Sequence, residues 1–433
     1  MASKKGGKAV ASIIGVGCTK FGSVLSTPEI KNMTMQELYT TACHEAYEDA
    51  GVNPVKDIDA FYIGNYLSDS IHQHSNNTQT CDWLGLQGKP SMNFATACST
   101  TNVGLGQAAM SIMSGRHKCV LVTGGEILTA QQKESASNPV SSPLDRDPLD
   151  AGLMFYWTMY GADTIYDNYA AASGFAWYGP LQMIEYARRY GLTEEQMDMI
   201  EYKIRSNDRL HASLNPKSLM SESYEEEARK AGYKDSFEYW KKTNPMSAWP
   251  VRAKSFVNAC DGSSAYIVCA PELATKFTKD PIDIIGWGWS TTNSPFFTDP
   301  IEYDAHRKAY DAAYKMAGVK GKDLDYLTTH SCSATMAELV SSETGGYFDK
   351  GEAWRAVLDG RTLYTGDKPM NVTGGRHAFG HAWSASAGAE IYEIVKQMQG
   401  KAGKRQMKND IELAAIQNEG ALFHGAVSVL RRR

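Results

Sequence analysis

The sequence has 433 residues, of which 42% are hydrophobic and 21% are charged, and its formal net charge is -5. This composition is typical of a folded globular protein and excludes an intrinsically disordered chain. The slight excess of acidic residues offers no basic field for a nucleic-acid backbone, and no run approaches the roughly 18 apolar residues that span a bilayer. We therefore expect neither nucleic-acid binding nor membrane insertion.

The first apolar run, AVASIIGVGC, is the first predicted element. It follows Lys4, Lys5 and Lys8, as in a secretory signal, but it is short, β-branched and interrupted by Gly15 and Gly17. We interpret it as a strand. The eight Cys show no C-x-x-C spacing and no Cys/His metal pattern, which is typical of free thiols in a reducing compartment. We expect a cytoplasmic protein with no bound metal.

The chain contains one pattern twice. Near the start, IIGVG precedes an amphipathic stretch that ends HEAYEDAGVNPVKDIDAFYIGN, and far downstream IIGWG precedes YDAAYKMAGVKGKDLDYLTTH. Gly51 then corresponds to Gly318 and Asp59 to Asp325, so that a strand, a helix, a glycine stop and a second strand recur. We predict two homologous halves.

Short β-branched runs alternate with helical periodicity in each half. The first half has the strand-like runs ASIIGVG, DAFYIGN and KCVLVTGG, the helical runs ELYTTACHEAYEDAG and TNVGLGQAAMSIMSG, and a later strand, SSAYIVCA. The second half has IDIIGWG, DYLTTH and IELAAIQNEG as strands and SASAGAEIYEIVKQMQG as a buried helix. This alternation predicts an α/β fold, a layered sandwich of two βαβαβ units.

The segment between the halves, residues 131–250, differs in composition. It holds 11 of the 23 Tyr and the charged run YEEEARKAGYKDSFEYWKK. We predict a largely helical insertion that covers a pocket, although internal packing of these rings explains the enrichment equally well. The aromatic residues include Tyr156, Tyr160, Tyr166, Tyr169, Trp157 and Trp177. The predicted domains are an N-terminal half over 8–130, completed by about 251–275, the insertion over 131–250, and a C-terminal half over 280–433.

Several common site motifs are absent from the sequence. The run GVGCTKFG has Lys20 where a dinucleotide-binding loop would need its third glycine. The chain has no Walker loop, no G-x-S-x-G and no H-E-x-x-H. Phosphate-loop, serine-hydrolase and zinc-protease chemistry therefore have no support.

Three strand ends carry residues suited to nucleophilic or base chemistry. Cys98 follows a small-residue strand end and precedes a Gly- and Ala-rich helix, whose N-terminus favours a thiolate. His381 stands at the corresponding turn of the second half, and His330 and Cys332 end the strand that repeats DAFYIGN. A lone Cys or His in such a place is usually structural. Their convergence between the two halves favours a catalytic site.

Several spaced motifs occur in an order found in one known family. They are GVGCTKFG, the ACST turn at Cys98, RRYGLTEEQ, NACDGSSA, the H-x-C at His330, NVTGGRHAFGH, GKAGKRQM and QNEGA. In this order they resemble the thiolase superfamily, and most closely the sterol-carrier-protein-type thiolases and the acetyl-CoA acetyltransferases of archaea and bacteria. The resemblance implies a thiolase-like layered sandwich and an acyl-CoA C-acyltransferase.

The resemblance also implies a role for each candidate residue. Cys98 would be the nucleophile that accepts the acyl group, and His381 the base that activates it. His330 would polarise the thioester oxygen and Cys332 would move the proton at the α-carbon, while the N–H groups of Cys98 and Gly420 would form the oxyanion hole. Carbon–carbon cleavage beside a carbonyl needs such a nucleophile, base and fixed donors. No resident cofactor is expected, because coenzyme A is itself a substrate.

Departures from the family pattern cluster on the side of the acyl group. The usual G-H-P-x-G-A-T-G reads G-H-A-W-S-A-S-A, which places Trp383 in a small-residue turn, and the usual H-D-C-F reads H-S-C-S. The usual H-N-x-G reads Q-N-E-G, with Asn418 before the oxyanion-hole glycine. We expect Trp383 and Asn418 to contact the substrate. These changes favour a bulky or aromatic β-ketoacyl-CoA, as in the β-oxidation steps of aromatic-compound degradation that use benzoylsuccinyl-CoA thiolase.

The resemblance further implies partner chains. The run SMNFATACS is similar to the segment at which family members dimerise, so we expect a homodimer. Members of this branch often work with a small subunit that combines a zinc ribbon and an oligonucleotide-fold domain. Such a partner, together with coenzyme A and its acyl thioesters, is the expected set.

Three alternatives from other classes stay open. A retro-aldol lyase of side-chain degradation shares the resemblance, but such chemistry needs no acyl-enzyme, so retention of Cys98 argues against it. A Claisen-condensing synthase of the acetoacetyl-CoA or hydroxymethylglutaryl type shares the nucleophile but usually has Glu or Asn where this chain has its two histidine motifs. A non-catalytic acyl-CoA or lipid carrier would keep the fold without the reaction.

Overall fold

The structure, a computed structural model, describes residues 6–67, 75–129, 174–292, 299–332, 335–420 and 424–433, with the backbone alone at 174–178. Its strands are β1 Ala11–Cys18, β2 Ala60–Gly64, β3 Ser91–Phe94, β4 Cys119–Glu126, β5 Met246–Ala248, β6 Val251–Arg252, β7 Gly262–Cys269, β8 Ile282–Thr291, β9 Tyr326–Thr328, β10 Leu413–Gly420 and β11 His424–Arg432. Its α-helices are α1 Met35–Ala50, α2 Pro54–Asp57, α3 Asn76–Thr80, α4 Thr100–Met113, α5 Gly174–Tyr190, α6 Glu194–Ser213, α7 Tyr224–Lys230, α8 Ser236–Lys242, α9 Ala274–Phe277, α10 Asp304–Ala317, α11 Met336–Thr344, α12 Ala353–Leu358 and α13 Trp383–Met398.

Nine of these strands form one continuous sheet, in the order β3-β2-β4-β7-β1-β8-β11-β10-β9. The first five strands belong to the N-terminal half, and the last four to the C-terminal half. The half-sheets join where β1 pairs antiparallel with β8, from Ala11 opposite Ile284 to Ile13 opposite Ile282. The sequence did not predict this edge-to-edge pairing, because each strand reads only as a buried β-branched run.

Helices α4 and α13 form the layer between the half-sheets. They pack against each other, and each contacts strands of both halves, α4 with β4 and β11 and α13 with β7 and β10. On the outer faces, α1 covers β1 and β7 while α10 covers β8 and β11. The layered sandwich of two similar halves that the sequence predicts is therefore confirmed.

The internal repeat extends to individual contacts. Helices α1 and α10 both stop at a left-handed glycine, Gly51 at φ 63° and Gly318 at φ 65°. Asp59 accepts two backbone N–H bonds at the start of β4, of 2.7 and 3.0 Å, and Asp325 accepts two at the start of β10, of 3.0 and 2.9 Å. Each aspartate thus fixes the register of two neighbouring strands in its half.

The glycines of IIGVG and IIGWG allow a helix to lie unusually close to a strand. A Cβ at Gly17 would lie 1.9 Å from the carbonyl oxygen of Ala42 in α1, and one at Gly288 would lie 2.2 Å from that of Ala309 in α10. Any side chain there would push the helix off the sheet. These motifs serve helix packing, in agreement with the rejection of a dinucleotide loop.

The described part of the insertion, residues 174–250, contains α5 to α8 and the short strand β5. Tyr202, Tyr224 and Trp240 form a small core of their own within it. For these rings, internal packing is the role that the structure shows. The side chains of Tyr156, Tyr160, Tyr166, Tyr169, Trp157 and Trp177 lie outside the described residues, and the predicted domain boundaries stay predictions. No described helix combines the length and apolar character that crossing a bilayer requires.

Candidate active site

Cys98 lies in a tight turn that leads into α4. A single 3₁₀ turn covers Ala97–Ser99, and α4 starts at Thr100. Ala97 has φ 48°, in the left-handed region that costs a non-glycine residue about 1 kcal/mol or more. The Thr100 hydroxyl donates a 2.6 Å hydrogen bond to the Ala97 carbonyl and helps to hold this conformation. The strained turn places the buried Cys98 between the two half-sheets.

His381 occupies the equivalent turn before α13. The preceding residue, Gly380, has φ 109°, so both turns are entered through a residue of positive φ. The His381 N–H donates to the Asn258 carbonyl at 3.0 Å, and its own carbonyl accepts from the Cys260 N–H at 3.2 Å. The segment before β7 therefore holds the His381 backbone in place.

The two turns meet in one hydrogen bond. Nε2 of His381 lies 3.0 Å from Sγ of Cys98, while Nδ1 lies 2.9 Å from the Ser386 hydroxyl and 3.4 Å from Nη1 of Arg376. A guanidinium can only donate, so Nδ1 is an acceptor and the neutral ring carries its proton on Nε2. His381 therefore donates to the Cys98 sulfur.

The surroundings of Cys98 favour its thiolate. Burial raises the pKa of the Cys98 thiol, but a hydrogen bond from Cys332 and the neighbouring His381 and Arg376 outweigh burial and bring the pKa well below its usual range. Hydrogen bonding to Cys98, together with burial, raises the pKa of Cys332 far above its usual range. Burial lowers the pKa of His381. These directions favour a Cys98 thiolate hydrogen-bonded by Cys332 and His381.

A buried ion pair lies behind the nucleophile. Arg376 donates from Nη1 to the Cys98 carbonyl at 3.0 Å and binds both carboxylate oxygens of Glu390 at 2.9 and 3.1 Å. The Asn418 amide donates to the same carboxylate at 2.6 Å. Arg376 lies in a π-helical turn, Gly375–Phe379, a conformation often found at functional sites. The network connects the nucleophile turn to α13 and β10.

His330 and Cys332 follow β9 and lie beside Cys98 and His381. The His330 N–H donates to the Gln417 side chain at 3.0 Å, and its ring meets the His381 ring edge to face, with centroids 5.8 Å apart. Burial, with Arg376 and His381, keeps the pKa of His330 well below its usual range. One donor atom from each of Cys98, His330, Cys332 and His381 lies within 4.8 Å of the others. The structure thus brings together all four side chains that the sequence predicted to be catalytic.

That compact group also has the donor types that bind soft metal ions. Some of its sulfur and nitrogen atoms already make hydrogen bonds, since the Cys98 sulfur is hydrogen-bonded to His381. The expectation that no metal is bound stays a prediction.

The predicted acyl side contains Trp383 at the first position of α13. Its ring lies 5.7 Å from that of Tyr66, centroid to centroid. Beneath them the buried Glu126 accepts hydrogen bonds from the Ser384 hydroxyl and the Tyr66 N–H, both at 2.7 Å. Burial raises the pKa of Glu126 to about 7. This carboxyl group joins the end of β4 to the turn that carries Trp383.

Gly420 ends β10 directly beside the nucleophile turn. A Cβ there would lie 2.5 Å from the Thr96 carbonyl oxygen and 2.8 Å from the Ser99 hydroxyl. Only glycine fits this approach, which brings the Gly420 backbone next to Cys98 as the oxyanion-hole expectation requires. The assignment of its N–H to that hole stays a prediction, as does substrate contact by Trp383 and Asn418.

Sequence reasoning missed four polar residues of this site: Ser386, Arg376, Glu390 and Glu419. A signal for three of them is present, because each is a charged residue inside an otherwise small or apolar buried segment. Such residues are almost never fully buried unless they are paired. No sequence pattern shows which partner each one meets.

The comparisons with known proteins agree with this geometry. Residues 11–217 match the family model of the thiolase N-terminal domain, and residues 290–432 match the model described as thiolase C-terminal domain-like. An acetyl-CoA acetyltransferase of Methanocaldococcus jannaschii is 30% identical over 93% of this chain and 92% of that protein. The chain belongs to the thiolase family. The sequence-based assignment to this family is thereby confirmed.

Further relatives extend the thiolase comparison. An acetyl-CoA acetyltransferase of Methanothermobacter thermautotrophicus is 28% identical over 94% of this chain and 96% of that protein. The benzoylsuccinyl-CoA thiolase subunit BbsB of Thauera aromatica is 25% identical, over 92% of this chain and 91% of that one. The solved structure titled Ltp2-ChsH2(DUF35) aldolase matches with a TM-score of 0.72 at 18% identity, covering 97% of both chains, which shows the shared fold. As a member of the thiolase family, the protein is an acyltransferase.

Proposed function

We propose that this protein cleaves a bulky or aromatic β-ketoacyl-CoA with coenzyme A through an acyl-enzyme on Cys98. The observation that carries the proposal is the 3.0 Å contact between the Cys98 sulfur and Nε2 of His381, inside a buried network that favours the thiolate. A soft, anionic sulfur is the nucleophile that a labile thioester intermediate needs. A carrier without catalysis would have no use for this charge arrangement.

The reaction proceeds in two balanced steps. The Cys98 thiolate adds to the β-carbonyl carbon, the Cα–Cβ bond breaks with its electron pair going to Cα, and the Cys332 thiol protonates Cα. This releases an acyl-CoA and leaves an acyl group on Cys98. The coenzyme A thiol then returns a proton to Cys332 and attacks the acyl group, which regenerates the Cys98 thiolate.

The fixed donors of the site support these steps. The N–H groups of Cys98 and Gly420 stabilise the oxyanion on the acyl carbon, and His330 polarises the thioester oxygen where enolate charge develops. His381 donates a hydrogen bond to the Cys98 sulfur as it leaves in the second step, so that the sulfur departs as the thiolate. The proximity of Cys98, His330, Cys332 and His381, with one donor atom of each within 4.8 Å of the others, supports these roles.

The choice of a bulky acyl group rests on the acyl side of the site. The rings of Trp383 and Tyr66 pack together and form an aromatic wall. Trp383 stands in a turn that small residues usually fill. Among the relatives, BbsB carries the name of a benzoylsuccinyl-CoA thiolase subunit. We place the protein in β-oxidation-type degradation of aromatic compounds on these two grounds.

Three properties of the assembly complete the proposal. Strand β3 lies at the free edge of the described sheet, next to the nucleophile turn, and suits pairing with a second copy of the chain. BbsB is named a subunit, and the Ltp2 structure is titled as a complex with ChsH2(DUF35), which supports a small zinc-ribbon and oligonucleotide-fold partner here. All eight cysteines are unpaired thiols, which suits the cytoplasm.

A product assay tests the function. The purified protein is given acetoacetyl-CoA, a medium-chain β-ketoacyl-CoA and a benzoyl-substituted β-ketoacyl-CoA, each with and without coenzyme A, and products are measured by mass spectrometry. We expect cleavage only with coenzyme A, fastest for the aromatic substrate, and an acyl adduct on Cys98. Cleavage without coenzyme A would contradict the thiolase reaction, because water would then have to take the acyl group. A β-hydroxyacyl-CoA is added as a fourth substrate, and its cleavage to an aldehyde or ketone and an acyl-CoA, with no adduct on Cys98, would indicate a retro-aldol lyase. Light scattering at micromolar concentration tests the dimer.

A further inference from the structure

A buried carboxyl group lies directly behind His330. Glu419, the residue before the oxyanion-hole glycine, is 1% exposed. Its Oε2 accepts a 2.7 Å hydrogen bond from the Tyr303 hydroxyl. Its Oε1 lies 3.7 Å from Nε2 of His330, and its Oε2 lies 3.7 Å from Nε2 of His306. A carboxyl group thus sits between two buried imidazoles.

The proton positions around one side of Glu419 can be derived. Gln417 accepts the His330 N–H at its side-chain oxygen, so its amide nitrogen is the atom 2.8 Å from Nδ1 of His306. That amide can only donate, which makes Nδ1 of His306 an acceptor and places the proton of the neutral ring on Nε2. The Oε2 side of Glu419 therefore faces two donors, from Tyr303 and His306.

The Oε1 side of Glu419 faces an unsatisfied histidine. Within the described part of the chain, Oε1 of Glu419 and both ring nitrogens of His330 lack a hydrogen-bond partner. Buried polar atoms are almost always bonded, so an unsatisfied carboxyl oxygen beside an unsatisfied imidazole points to a function. His330 itself belongs to the group in which one donor atom each of Cys98, His330, Cys332 and His381 lies within 4.8 Å of the others.

We propose that Glu419 is a positioning residue whose hydrogen bond with Nε2 of His330 sets whether Nδ1 of that ring carries the proton that it donates to the thioester oxygen of the substrate. This inference rests on the proposed thiolase reaction. When the carboxyl is protonated, it donates to Nε2, and the neutral ring carries its proton on Nδ1, free to donate to the thioester. When the carboxyl ionises, its proton leaves to solvent, the neutral ring turns its own proton to Nε2 to bond the carboxylate, and Nδ1 no longer donates. The ionisation precedes the reaction, so the proton balance of the two steps is unchanged.

The groups that face Glu419 determine where it titrates. The pKa of Glu419 is raised to about 7, because burial raises it, the Tyr303 hydrogen bond lowers it, the charge of Cys98 raises it and Arg376 lowers it. The facing groups are Tyr303 before α10, His306 in α10, His330 and Cys332 after β9, Cys98 before α4 and Arg376 in the π-helical turn, with His424 of β11 acting on His306. Burial keeps His306 and His330 neutral. Glu419 is therefore the group among these three that changes charge near neutral pH.

The test measures exchange of the acetyl-CoA α-protons with deuterium by NMR as a function of pH, beside acyl-enzyme formation by mass spectrometry. For Glu419→Gln we expect acylation of Cys98 within about 3-fold of wild type, exchange and thiolysis lowered by about 10²-fold, and loss of the inflection near pH 7. Glu419→Asp should recover part of the rate and the inflection. Exchange at the wild-type rate with an unchanged inflection in Glu419→Gln would overturn the proposal.

A second variant keeps the proposal testable if Glu419→Gln folds poorly. Tyr303→Phe removes the hydrogen bond that lowers the Glu419 pKa, so the inflection should move to higher pH without disappearing. An unmoved inflection would contradict the assignment to Glu419. Failure of the proposed function is distinct, because the wild-type protein would then form no acyl adduct on Cys98 at all.

Discussion

Arg376 donates a 3.0 Å hydrogen bond to the carbonyl oxygen of Cys98, a residue 278 positions earlier in the chain. The same guanidinium lies 3.4 Å from Nδ1 of His381 and is held by both oxygens of Glu390. One buried cation therefore contacts both the nucleophile turn and the histidine, and it adds to the groups that favour the Cys98 thiolate.

Replacing Arg376 by Met should raise the pKa of the Cys98 thiol, because a nearby positive charge is lost. The measurement is the pH dependence of iodoacetamide alkylation at Cys98, followed by mass spectrometry. In the wild type, the lowered pKa predicts that alkylation falls off at a lower pH than for an ordinary thiol. In the variant the fall should begin at higher pH.

The matched control for this variant is Arg405→Met. Arg405 and Glu393 form a second buried pair, at 2.8 Å, away from the site. Each substitution leaves a buried carboxylate without its ion-pair partner and should lower the free energy of unfolding by about 3–5 kcal/mol. Only Arg376→Met should change the alkylation profile. Equal profiles for both variants would show that Arg376 does not set the charge of Cys98.

The two cysteines of the site should divide the reaction between them. Cys98→Ala should abolish the acyl-enzyme, because no other group can carry the thioester. Cys332→Ala should still be acylated by a simple acyl-CoA. Its thiolysis rate should fall by about 10²-fold, because the proton donor is lost. Trapped acyl-enzyme is measured by mass spectrometry beside steady-state thiolysis. An adduct on Cys332, or normal thiolysis by Cys332→Ala, would reverse the assignment.

Trp383→Ala should change substrate preference more than overall rate. Loss of the aromatic wall should lower kcat/KM for the benzoyl-substituted substrate by about 10-fold relative to acetoacetyl-CoA, given the usual strength of aromatic contacts. Trp249 is the control, because it is 53% exposed, and Trp249→Ala should leave the ratio unchanged. A uniform fall with both substrates would instead assign Trp383 to packing alone.

Glu126→Gln should alter the pH dependence of stability. Burial raises the Glu126 pKa from 4.5 to about 7, so the folded state keeps a proton that the unfolded chain releases. The resulting stabilisation is complete below pH 4.5 and is lost as pH rises through 7, an effect of about 3 kcal/mol. Urea unfolding at pH 5 and pH 7.5 should show a smaller difference in Glu126→Gln than in the wild type. The exposed Glu48→Gln serves as the control.

The repeat could be predicted from sequence because its markers are local. Gly51 and Gly318 stop equivalent helices, and Cys98 and His381 stand in motifs with characteristic neighbours. The contacts of Arg376 and Glu419 could not be predicted, since periodicity shows that a segment is buried but not which distant side chain it meets. The pairing of β1 with β8 could not be predicted for the same reason.

The union of Cys98 from one half with His381 from the other also bears on the origin of the chain. The halves share strands, helix stops and aspartate anchors, so they descend from one duplicated unit. A single copy of that unit has one such helix-start turn, and it needs a second copy to bring two of them face to face. Joining two such units in one chain therefore holds the two turns face to face without association of separate copies, and it allows one turn to carry the nucleophile and the other the histidine.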